Sequence, residues 1–67
     1  MPNVRKAIEI VEADGWYFVR QRGSHRHYKH PAKPGTVTIA GRPSTDLKIK
    51  TWKGILDQAG LKEEDVR

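Results

Sequence analysis

A chain of 67 residues with no cysteine and a net charge of +5 excludes several classes at once. So short a chain buries only about 60% of the surface its unfolded form exposes, which predicts one thin core and no deep cofactor cavity. The absence of Cys removes disulfides and thiolate metal sites and fits a reducing cytoplasm; the opening "MPNVRKAIEI" lacks the apolar run of a signal peptide or membrane helix.

Val4, Ala7, Ile8 and Val11 fall at the i, i+3, i+4, i+7 spacing of one helix face, with Asn3 placed to cap the start and Gly15 to follow the end. A first helix over residues 4–14 is therefore predicted. "WYFVRQ", Trp16 to Gln21, is aromatic and β-branched and predicts a strand. Gly23-Ser24 marks a turn, and "HRHYKH" from His25 to His30 returns as a second strand. After a turn at Lys33 to Gly35, "TVTIA" alternates polar and apolar residues and predicts a third strand, followed by the loop "GRPSTD". Trp52, Ile55, Leu56 and Ala59 repeat the helical spacing, and Gly60 stops that helix. Gly54 within it costs about 1 kcal/mol relative to Ala, which implies either close packing or tolerance. "KEEDVR" forms a last helical turn or frays. The order is α-β-β-β-α, an α+β architecture with an antiparallel three-stranded sheet. Two amphipathic helices cover one sheet face and leave the other open to solvent.

The charge is unevenly placed. Residues 15–45 hold Arg20, Arg22, Arg26, Lys29, Lys33 and Arg42 and no acid, whereas the flanking segments are close to neutral. A polyanion is the natural partner of such a block, although a merely solvated surface has the same composition.

Strand alternation puts His25, His27 and Lys29 on one face and Arg26, Tyr28 and His30 on the other. Tyr28, the most apolar of the six, is assigned to the core, so His25 and His27 fall on the open face beside the Arg20–Arg22 turn. A metal-free RNA cleavage needs a group that takes a proton from the 2′-hydroxyl and one that returns a proton to the leaving 5′-oxygen. Histidine is suited to both roles, and neighbouring cations favour the neutral, base-competent imidazole. Arg and Lys stabilise charge on the phosphorane. Gly23 lets a phosphate approach the backbone, and Ser24 can donate a hydrogen bond to it. Arg22, Arg26 and Lys29 are the expected phosphate contacts, with Lys48, Lys50 and Lys53 of the second helix as a further set. His25-x-His27 is also a metal-ligand spacing, but residues 15–45 offer no acid to complete it. A third reading leaves all three histidines exposed or in ordinary hydrogen bonds. Trp16, Phe18 and Trp52 are expected in the core, and Tyr17, out of phase with its neighbours, is the aromatic expected to be exposed.

Gly15-Trp16, the run Arg20-Gln21-Arg22-Gly23-Ser24-His25, His30-Pro31 and the closing Ile55-Leu56, Gln58-Ala59-Gly60-Leu61 together resemble the HicA family of toxins. The similarity extends from the first helix to Leu61, so residues 1–67 are expected to form a single HicA-like domain. The resemblance implies a double-stranded-RNA-binding-like fold, mRNA interferase activity in the cytoplasm without a cofactor, and a HicB-type antitoxin that masks the site. It also places the family's catalytic histidine, that of a Gly-Ser-His motif, on His25. Arg20 and His27 complete the expected RNA-binding set. Many members carry Pro-Gly where this chain has Ile49-Lys50, and a longer final helix seen in some is absent. A non-catalytic RNA-binding module of the same fold remains the alternative; it needs a cationic groove but no His25.

Overall fold

The computed structural model describes residues 2–66, the last two by backbone alone. The elements are α1 (Val4–Ala13), β1 (Tyr17–Arg22), β2 (His25–Lys29), β3 (Val37–Ala40), α2 (Ile49–Ala59) and a terminal 3-10 turn (Glu63–Val66). The sheet is an antiparallel meander in the order β1-β2-β3. The α-β-β-β-α order expected from the sequence is the order found, with a 3-10 turn where "KEEDVR" left helix or fraying open; Arg67 lies outside the described residues.

The helix ends explain themselves chemically. The Asn3 side chain accepts from the Lys6 amide at 2.9 Å. The Val4 and Arg5 amides, unpaired within the helix, donate to the Thr45 and Pro43 carbonyls of the loop before α2. Both helices close with the same pair of bonds. After α1, Gly15 N donates to Glu12 O and Trp16 N to Val11 O; after α2, Gly60 N donates to Asp57 O and Leu61 N to Leu56 O. Each closing glycine has a positive φ, 105° at Gly15 and 69° at Gly60. This is the Schellman ending, in which the residue after the glycine packs back on the helix. Trp16 and Leu61 are those residues, and both join the core.

The core is formed by Val4, Ala7 and Val11 of α1, Trp52, Ile55, Leu56 and Ala59 of α2, and Tyr28, Val37 and Ile39 of the sheet, with Trp16 and Leu47 closing its ends. All the sheet's contributions come from one face, so both helices lie on that face. Burial first, and then the Glu12 carboxylate, push the Tyr28 hydroxyl above its ordinary pKa, while Arg26 pulls the other way. Tyr28 is thus neutral at any physiological pH.

Phe18 departs from expectation. It pairs with Tyr28 across the ladder and so lies on the helix side, its ring edge-on at 6.0 Å. It is nevertheless 51% exposed, because the helices pack mainly over β3 and do not cover the outer strand. Gly54 is a case of tolerance: a Cβ there would meet nothing within 4 Å. Ile49-Lys50 starts α2 directly, with Lys48 as a cap that makes no side-chain bond.

Candidate nucleic-acid interface

Gly23-Ser24 joins β1 to β2 in two residues, with Gly23 at φ 59° and no positive φ at Ser24. That is the pattern of a II′ turn, whose twist matches a hairpin. It sets Arg22 opposite His25, after which Arg20 opposes His27 and Tyr17 opposes Lys29. Directly opposed residues share a face. On the other side of β2, Ala40 opposes His25 and Thr38 opposes His27.

Uninterrupted alternation could not put Tyr17 and Arg20 on one face, since one has an odd and the other an even position. The register shifts between Phe18 and Arg20, leaving Val19 as the extra residue. This bulge re-aims the strand. Without it, Arg20 and Arg22 would project on the helix side with Phe18. With it, they join His25, His27 and Lys29 on the open face. No acid lies among these opposed residues.

His25 is exposed, and among the described residues its imidazole makes no hydrogen bond. Arg20, Arg22 and Lys29 are likewise exposed and without a side-chain partner there. His27 is half-buried, and its Nδ1 lies 3.2 Å from Thr38 Oγ1. That contact leaves Nε2 as the ring nitrogen without a hydrogen bond among the described residues. A trough of about 300 Å³ runs beside it, lined by Val19, Arg20, His27, Lys29 and Thr36. In the sequence, Thr36 and Thr38 stand out only as the polar half of the "TVTIA" alternation.

Arg42 is exposed in the loop after β3, and two other cations of the central block, Arg26 and Lys33, are engaged elsewhere. Arg26 is on the helix side, where its guanidinium donates to Gly41 O at 2.9 Å. Lys33 pairs with the Asp14 carboxylate and donates to Ala59 O at 3.1 Å, tying the ends of both helices together. Lys48, the cap of α2, and Lys50 and Lys53 on the helix are exposed, on the covered side of the sheet, and Lys53 stands 3.8 Å from Glu63. The structure therefore gathers Arg20, Arg22, Gly23, Ser24, His25, His27 and Lys29 around one hairpin face. It does not bring Arg26 or the α2 lysines to that face.

His30 differs from the other two histidines. Its Nε2 donates to Asp14 O at 2.7 Å, and its Nδ1 accepts from the Ala32 and Lys33 amides. The ring stands edge-on to Trp16, with centroids 5.3 Å apart. A Cβ on Gly15 would sit 2.7 Å from its Nε2. His30 is a structural clamp that shares nothing with the open face. Among the described residues, no group of three or more His, Cys, Asp or Glu is placed to hold a metal ion.

A two-layer α-β-β-β-α domain with a basic, acid-free hairpin face is the class these features define. The chain belongs to the HicA toxin family: the family model for the HicA toxin of bacterial toxin-antitoxin pairs matches residues 4–61. An antitoxin is thus its partner class. No curated protein matches the sequence closely. Among the described residues, no helix is long and apolar enough to cross a membrane.

Proposed function

We propose that this chain is a metal-independent endoribonuclease that cuts mRNA in the cytoplasm, with residues 1–67 acting as a single toxin domain. The observation that supports it best is the unpartnered His25 imidazole, exposed on a sheet face that carries Arg20, Arg22 and Lys29 and no acid.

In this mechanism, His25 removes the proton from a ribose 2′-hydroxyl. The 2′-oxygen attacks the adjacent phosphorus, the bond to the 5′-oxygen breaks, and that oxygen leaves with a proton from an acid. The cations of β1 and β2 stabilise the charge that develops on the phosphorane, where fixed positive groups act most strongly. The Gly23-Ser24 turn gives the phosphate a backbone approach free of side-chain bulk, since a Cβ at Gly23 would meet nothing within 4 Å. A HicB-type antitoxin restrains the activity by covering the His25 face. The purified chain should cut a synthetic single-stranded RNA in excess EDTA. RNA that stays intact while still binding would favour the non-catalytic alternative.

The three open-face cations also set a measurable salt dependence. Replacing Arg20, Arg22 or Lys29 by Gln, one at a time, should weaken binding to all RNA sequences. Each loss should flatten the slope of log K against log salt by roughly 0.7 per phosphate contact on a single strand. Arg26→Gln should leave that slope unchanged, because the side chain is occupied by Gly41 O. Unchanged slopes for all three open-face variants would mean that the block is solvated surface only.

A further inference from the structure

The outer strand β1 has one sheet neighbour, β2, and its far edge pairs with no strand among the described residues. On that edge, Tyr17, Phe18 and Val19 are 52%, 51% and 46% exposed, three adjacent large apolar side chains in a small domain. Contiguous exposed apolar surface of this kind marks an interaction site. The opposite edge of the sheet is guarded: Gln58 Oε1 of α2 accepts from the Thr38 amide of β3 at 3.0 Å. Among the described residues nothing comparable covers β1.

The three side chains do not share one face. Tyr17 opposes Lys29 and belongs to the open face; Val19, the bulge, lines the open-face trough with Arg20, His27 and Lys29; Phe18 opposes Tyr28 and belongs to the helix side. An RNA strand lying on the open face reaches Tyr17 but not Phe18. A surface that touches all three must wrap the edge, which a concave protein surface can do. Arg20 and Arg22 follow immediately on the same strand and make no ion pair among the described residues. The complementary surface is therefore apolar and rimmed by carboxylates. A second copy of this chain fits poorly, since it brings the same arginines and a further charge of +5. The bulge also interrupts the ladder that a self-pairing edge would use.

We infer that the β1 edge, centred on Phe18, is a docking surface for an acidic protein partner, one that reaches past the RNA face onto the helix side of the sheet. The antitoxin of the toxin–antitoxin pair is the partner of that class. Anchoring at Phe18 places it beside His25, with Arg20 and Arg22 meeting its carboxylates. The inference rests on the antitoxin named above and not on the catalytic step.

Phe18→Ser separates these roles, because Phe18 is outside the RNA face and half exposed. Binding of a purified HicB-type antitoxin, measured by calorimetry, should weaken about tenfold or more, as for truncation of a buried aromatic anchor. RNA cleavage by the variant should stay within about twofold of the original, which also reports that it is folded. Equal antitoxin affinity for both chains, or none for the original, would overturn the inference. So would a fall in RNA affinity in the variant, or a dimer of the free chain in sedimentation that Phe18→Ser dissolves. If neither chain cleaves RNA but antitoxin binding still falls with Phe18→Ser, and the two chains melt at the same temperature, the catalytic reading fails and the docking surface stands.

Discussion

His25→Ala is expected to lower RNA cleavage by about 10²–10⁴ while leaving the melting temperature within a degree or two. The size of the loss is that of removing one proton-transfer group. The unchanged stability follows from position: His25 opens β2 at the exposed end of the hairpin and makes no hydrogen bond among the described residues. Its backbone pairing with Arg22 and Ala40 survives in alanine. RNA affinity should change little, because Arg20, Arg22 and Lys29 stay in place. His30→Ala makes the contrasting case. Its ring joins Asp14 O to the Ala32 and Lys33 amides, so its loss should appear first in stability. A His25→Ala variant with full activity would remove the residue from the mechanism.

Trp16→Ala should remove a large share of the domain's stability. Truncating a buried Trp costs about 3–5 kcal/mol. A domain of this size has roughly 3–10 kcal/mol of stability to lose. Trp16 is 2% exposed and holds three structures together. It is the apolar residue that closes the Schellman ending of α1, its indole donates to Asp14 Oδ2 at 3.2 Å, and its ring meets the edge of His30. Denaturant unfolding followed by circular dichroism measures the effect. A loss below about 1 kcal/mol would mean that the junction of α1 and β1 is held by other contacts.

Periodicity made much of this fold readable. Val4, Ala7 and Val11, and Trp52, Ile55, Leu56 and Ala59, are the buried stripes of the two helices, as their spacing implies. The family resemblance rests partly on residues that the structure explains by folding alone. Gly15-Trp16 and Gly60-Leu61 are helix endings, Gln58 guards β3, and His30 clamps α1 to the loop after β2. Only the Arg20-to-His25 run lies at the candidate site.

What the sequence hid was the bulge at Val19. A single inserted residue leaves no mark in composition, yet it decides the direction of Arg20 and Arg22. Hydrophobicity also misplaced Phe18: an aromatic in a strand is assigned to the core, but burial depends on whether a helix reaches that strand. The +6 block looked uniform for a related reason. Strand alternation already sends Arg26 to the helix side, where Gly41 O holds it, but Lys33 differs from Arg20 and Arg22 only through long-range partners, Asp14 and Ala59 O. Charge counting cannot separate a cation that holds the fold from one that is free to bind.

The chemistry of the cut ends tests the proposed reaction most directly. Attack by the 2′-oxygen, with proton transfer through His25, leaves a 2′,3′-cyclic phosphate on one fragment and a 5′-hydroxyl on the other. Mass spectrometry of a synthetic RNA cut by this chain in excess EDTA should find those ends. Fragments with 3′-hydroxyl and 5′-phosphate ends, or cleavage that needs an added divalent metal, would contradict it.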